Sequence, residues 1–181
     1  GIEHIYTSFP EGRIRREIIK IGGKDAKTLI KEMREKNITI SDYAKDMMKS
    51  KDFATLEESE SAILVRLKVG DLGFPKDKYP TTDDIYKRIE EFGLELCPAE
   101  TGPEYRLQYT DQPLREWVRI GMKQIADRGG HPSVFDLERD GDGLWLHAGW
   151  ARATNKWYPG SEFVFRLRPG GRAKLATGHA S

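Results

Sequence analysis

Apolar positions recur along this chain at two different spacings. Ala26, Leu29, Ile30 and Met33 fall at intervals of three, one and three, which places them on one face of a helix. Asp25 suits the positive end of that helix, and Arg34 and Lys36 suit its negative end. Asn37 fits a helix stop, and Ser41 fits the N-cap of a second helix with Tyr43, Ala44, Met47 and Met48 on its apolar face. Arg13–Ile21 fits either a strand or a short helix, closed by Gly22-Gly23. The segment TLEESES (55–61) is acidic, polar and without period, so it reads as a linker. Residues 1–54 are therefore expected to form a helical N-terminal unit, followed by an acidic linker over 55–61.

Beyond the linker the period changes to two. Ile63, Val65, Leu67 and Val69 alternate with Leu64, Arg66 and Lys68, as in a strand. Thr81 or Thr82 fits the cap of a helix carrying Ile85, Ile89 and Phe92 and ending at Gly93. Short strands are predicted at Leu94–Cys97, at Tyr105, Leu107 and Tyr109, at Val118–Met122 and at Phe163–Leu167. Asp140-Gly141-Asp142-Gly143 between two apolar runs predicts a hairpin. The expected fold class is α+β: a small, mostly antiparallel sheet with one helix over 62–169, preceded by the short helical unit. Residues 170–181 are small and weakly basic, and a flexible tail is expected there.

Composition narrows the classes of function. The 181 residues carry 30 Lys and Arg against 29 Asp and Glu, a formal net charge of +1. The signs alternate along the chain, which removes any composition-level argument for nucleic acid. One cysteine excludes a disulfide scaffold. No run approaches the length of a membrane span. The start, GIEHIYTSFPEGR, lacks the apolar region of a secretory signal, so a cytoplasmic setting is expected. The second helix, SDYAKDMMKSK, invites a helix-turn-helix reading, but Asp42 and Asp46 would repel phosphates in a groove. Core packing, docking or homo-oligomerisation through the N-terminal helices fits that pair better.

The segment GLELCPAETGPEYRLQYTDQ (93–112) with Pro113, DGLWL (142–146) and the closing FVFRLRP resembles a group of small bacterial proteins that carries no assigned activity. In that group the first segment is a variant of GLELCPAEVGPxLRLQYxDQP, from which Thr101 and Glu104-Tyr105 depart. The resemblance covers roughly 62–169 and implies a self-contained prokaryotic domain. It transfers no catalytic residue.

Several chemistries can be written down. Cys97 is the sole thiol, and His131 or His147 with Asp136 or Asp142 would complete a nucleophilic constellation, although no signature surrounds the cysteine. Asp136 to Gly141 matches the start of a calcium loop, but position 12 is His147 rather than a bidentate Glu. His131, Asp136 and His147 offer donors to a transition metal without a spacing that fixes them. Glu95, Glu100, Glu104 and Glu116 offer a carboxylate pair. No phosphate-binding or nucleophile-elbow signature occurs. Neither a cofactor nor a metal is expected, and no catalytic residue is assigned.

The aromatics are more informative. Tyr105, Tyr109, Trp117, Trp145, Trp150, Trp157 and Tyr158 crowd together among arginines. Trp145 alternates with Leu144 and Leu146, and Trp117 precedes Val118, so both sheet faces carry bulky groups and some rings must stay accessible. The expectation is a non-catalytic interaction module. It would bind a protein or other ligand through an aromatic and arginine sheet face of Tyr105, Tyr109, Trp117, Arg119 and Trp150. The alternative is nucleic-acid binding by base stacking and phosphate contacts. A small hydrolase using Cys97 is third.

Overall fold

A computed structural model describes Ile5, Phe9 and residues 14–169. The expected tail over 170–181 lies outside the described residues. Among the described residues nine strands and four α-helices run in the order β1 (Arg15–Ile21), α1 (Ala26–Glu35), β2 (Thr39–Ile40), α2 (Asp42–Lys49), β3 (Glu60–Lys68), α3 (Thr82–Arg88), β4 (Leu94–Glu95), α4 (Thr101–Gln108), β5 (Trp117–Ile120), β6 (Ile125–Ala126), β7 (Pro132–Asp140), β8 (Gly143–Trp150) and β9 (Glu162–Leu167). The strands form a single mixed sheet in the order β1-β3-β9-β5-β7-β8-β2, with β4 on β9 and β6 on β7. The expected small, mostly antiparallel sheet with one helix is thus corrected: the sheet is large and mixed, and four helices accompany it. Two pairs, β5 with β9 and β2 with β8, are parallel. Strands from both sides of residues 55–61 belong to the sheet, because β1 pairs with β3 along its whole length.

Local chemistry accounts for the ends of the elements. The Asp25 carboxylate accepts the Thr28 amide at 2.8 Å at the start of α1, and Ser41 Oγ accepts the Ala44 amide at 3.2 Å at the start of α2. At α3, Thr81 Oγ1 accepts from the Asp84 amide at 3.1 Å while the Asp84 carboxylate accepts from the Thr81 amide at 3.0 Å, a reciprocal capping box. The predicted hairpin is present: Asp140 pairs with Gly143, and Gly143 takes a φ of +123°.

One element was misread. Tyr105, Leu107 and Tyr109 alternate, yet they lie in and at the cap of helix α4 rather than in a strand. Every residue from Thr101 to Leu107 is buried, and the helix packs against β1, β7, β8 and α1. A helix covered on all sides has no polar face and so no 3.6-residue period to read. Its closest approach is at Gly102, where a Cβ atom would sit 2.6 Å from the Phe135 ring.

Strand alternation and register divide the sheet into two faces. Val118, Phe135, Leu137 and Leu146 point to the side covered by α1, α2 and α4, where Phe53 meets the Phe135 ring edge-on at 6.0 Å. Phe163 and Phe165 point to the other side, where Trp157 and Tyr86 of α3 pack on them at 5.0 and 6.1 Å. That second cover stops short of the β5–β7–β8 quarter. Leu29 and Met33 of α1 and Ala44, Met47 and Met48 of α2 are buried inside the chain, the core packing expected as one reading of the pair, while Tyr43 of α2 is exposed.

Candidate functional site

The uncovered quarter displays a line of rings. The register puts Trp117, Glu138 and Trp145 side by side across β5, β7 and β8, and Arg119, Asp136 and His147 beside them. The His147 imidazole lies between two indoles, 5.5 Å from Trp117 and 4.7 Å from Trp145, nearly parallel to both. Its Nε2 stands 3.0 Å from Glu138 Oε2.

At the start of β5 and β9 this line opens into a shallow hollow of about 510 Å³. Trp117 and Tyr158 are its aromatic walls, 39% and 68% exposed. Arg115, Arg119, Glu116 and Glu162 supply its charges. The two carboxylates are held from below by Arg66, itself only 7% exposed. Arg66 Nη2 lies 2.9 Å from Glu116 Oε2, and its Nε donates to Glu162 Oε2 at 2.8 Å. Tyr109 Oη donates to Glu116 Oε1 at 2.6 Å. Burial alone would lower the Arg66 pKa, but its hydrogen bonds to Glu116 and Glu162 more than offset this and hold the guanidinium firmly charged. The same Arg66 and Tyr109 bonds overcome desolvation at Glu116 and keep its carboxyl below the usual range.

The upper cations are not consumed in this way. Among the described residues neither Arg115 nor Arg119 makes an ion pair within 4.0 Å. Arg119 lies 6.0 Å from the Trp117 ring and 5.1 Å from that of Trp157, a cation between two indole faces. Arg115 sits in the left-handed region at φ +69°, uncommon for a residue with a side chain, and its amide is pinned by the Arg139 carbonyl at 2.7 Å.

Asp136 lies under Arg119. It is 3% exposed, and its Oδ1 has no hydrogen-bond partner. Burial pushes its pKa up to about 7 against the pull of Arg119, and the neighbouring Glu138 adds to the rise. Gly149 leaves room for it: a Cβ there would be 2.5 Å from Asp136 Oδ2.

Of the five residues expected to bind, Trp117 and Arg119 meet in the hollow. Tyr105 and Tyr109 stack on each other at 5.2 Å inside the molecule, so neither is a ring on an exposed sheet face. Tyr109 reaches the hollow through Glu116 and through Arg66, whose Nη1 donates to its hydroxyl at 3.4 Å. Trp150 is 57% exposed elsewhere, packed on His131 at 4.3 Å with its indole donating to Asp127. Arg115 and Tyr158 belong to the crowd of aromatic and basic residues read from the sequence but not to the five, because they sit in loops without period; sequence reasoning missed Arg66, whose place in a strand gives no hint of its two acidic partners.

The other chemistries lose their geometry. Cys97 is buried, its thiol lies 3.7 Å from the Val164 carbonyl, and burial pushes its pKa up to about 12. His147 is occupied by Glu138 and the two indoles. Among the described residues no group of three or more His, Cys, Asp and Glu is arranged to hold a metal ion. Glu100 accepts the Leu56 amide, Glu104 faces Lys24 at 3.7 Å and Glu116 faces Arg66, so these carboxylates do not converge. No described helix is long and apolar enough to cross a membrane.

Fold and site together define a mixed-sheet α+β protein with an open aromatic and cationic hollow at the ends of two parallel strands. Comparison with family models, with curated proteins and with solved structures finds no match for the chain.

Proposed function

We propose that this protein is a non-catalytic interaction module that takes hold of a ligand through the hollow between β5 and β9. The observation that carries the reading is the division of labour among its charges. Glu116 and Glu162 share the single charge of the buried Arg66, while among the described residues Arg115 and Arg119 make no ion pair within 4.0 Å and stand beside two exposed rings. Trp, Tyr and Arg are the residue types that dominate binding hot spots. The strained backbone at Arg115 adds weight, because such strain collects at functional positions. A thiol held protonated by burial gives no support to a hydrolase built on Cys97. The likeness of the 93–112 segment to a bacterial group supports a prokaryotic setting.

The test is a fragment screen followed by NMR on the full chain. Shifts are expected at the Trp117 indole N–H, the Arg119 side-chain N–H and the amides of Arg115 and Tyr158. Hits that gather elsewhere, or none at all, overturn the reading.

A further inference from the structure

Resting on that reading, we infer that the occupant of the hollow is an acidic linear segment of a partner protein, with carboxylates on Arg115 and Arg119 and an apolar side chain between Trp117 and Tyr158. The shape argues for a segment. A small ligand needs a site that buries most of its surface, and this hollow is open and shallow. It also continues along the surface into the stacked rings of Trp117, His147 and Trp145, so a chain has somewhere to run.

The charges argue for an acidic peptide rather than a polyanion. Among the described residues the two cations at the hollow make no ion pair within 4.0 Å, and each can receive a carboxylate in a charge-assisted hydrogen bond. Nucleic acid asks for a row of basic groups along its phosphates. Here the two arginines share the rim with Glu116 and Glu162, and Glu138 follows along the ring line. Two isolated carboxylates fit between these acids, whereas a continuous phosphate backbone runs over them.

Arg119 is further prepared for the task. It is held between the Trp117 and Trp157 rings, so less side-chain freedom is lost on binding. The acid beneath it, Asp136, is buried and does not pair with it in a salt bridge.

The probe is an acetylated octapeptide amide with two glutamates flanking one phenylalanine in a glycine and serine background, titrated into the full chain by NMR. Binding is expected at the hollow. Exchange of both glutamates for glutamine is expected to weaken it about tenfold or more, the scale of charge-assisted hydrogen bonds. Trp117→Ala should act similarly. Arg119→Gln disturbs two ring contacts, so Arg115→Gly is the safer second variant: glycine takes φ +69° freely, and the fold is kept while a cation is removed. Equal binding of the glutamine peptide overturns the inference. So does tighter, steeply salt-dependent binding of a ten-residue oligothymidylate. If the octapeptide does not bind while fragments still shift the Trp117 indole, this inference falls and the hollow stands. If fragments fail as well, both fall.

Discussion

Arg106 is fully buried, yet among the described residues no carboxylate pairs with it within 4.0 Å. Its Nη1 donates to Gln112 Oε1 at 2.6 Å and to the carbonyls of Trp145 and Glu138 at 3.2 and 3.3 Å, and Nη2 donates to the Tyr109 carbonyl. Burial pulls its pKa down to about 10, which still leaves it charged at neutral pH. One side chain thus ties the end of α4 to β7, to β8 and to the 109–116 loop that carries one wall of the hollow. Arg106→Met removes the donor from four acceptors, two of them in fully buried bonds. A loss of about 3 kcal/mol or more is expected in urea unfolding, since each orphaned buried group costs about 1–3 kcal/mol. Arg106→Lys recovers little, because an ammonium cannot span the same acceptors. Asp136 gives the opposite case, a carboxyl whose folded pKa of about 7 lies above its ordinary value of 3.8. The folded state holds this proton more tightly than the unfolded chain, so the group costs stability as pH rises from about 4 to about 7 and no more above that. Relative to the wild type, Asp136→Asn should gain up to about 4 kcal/mol across that range, at 1.36 kcal/mol per pKa unit. Paired unfolding curves at pH 4 and pH 8 check this, and a constant difference between the two proteins would refute it.

Elements were legible where their cause is local. The caps at Asp25, Ser41 and Thr81 and the Asp140–Gly143 turn are each fixed by a few neighbouring residues, and the structure has them. Helix α4 was not legible, because the alternation of Tyr105, Leu107 and Tyr109 imitates a strand and the helix has no solvent side to betray its period. The candidate site divides along the same line. Trp117 and Arg119 stand on one side of β5 and read as a pair, whereas Tyr158 joins them only through the pairing of β5 with β9, some forty residues further on, and Arg115 is placed by its left-handed backbone and the Arg139 carbonyl. The tight seat of α4 gives a test at this scale. Alanine at an exposed helical glycine stabilises a helix by up to about 1 kcal/mol. At Gly102 the added Cβ meets the Phe135 ring at 2.6–2.8 Å, so the sign should reverse. Gly102→Ala is expected to destabilise by about 1–3 kcal/mol, the usual cost of overpacking. Thermal melts of the variant check this. A raised midpoint would mean that α4 is not seated on β7 as described.

At the scale of the whole molecule, the acidic stretch over 55–61 ties the Gly22-Gly23 turn after β1 to the start of α4. The Leu56 carbonyl accepts the Gly23 amide at 2.9 Å, and the Leu56 amide donates to the buried Glu100 carboxylate at 3.1 Å. Gly22 lies so close that a Cβ there would be 2.2 Å from the Glu58 carbonyl oxygen. Polar composition suggested a linker because it reports what faces water, and it says nothing of backbone groups bonded on the inner side. β1 then gives β3 its antiparallel partner, and α1 and α2 cover the face that carries Phe135, Leu137 and Leu146. A sheet stripped of both edge strands, β1 and β2, and of half its cover exposes side chains that now have no solvent contact. The whole chain should therefore unfold in one calorimetric transition, its calorimetric and van't Hoff enthalpies agreeing. A fragment of residues 62–169 alone should show no cooperative melt and should bind a hydrophobic dye. Two separate transitions in the whole chain, or a fragment that melts sharply on its own, would show that the molecule divides at 55–61 after all, and that α1 and α2 only lean on a domain able to fold without them.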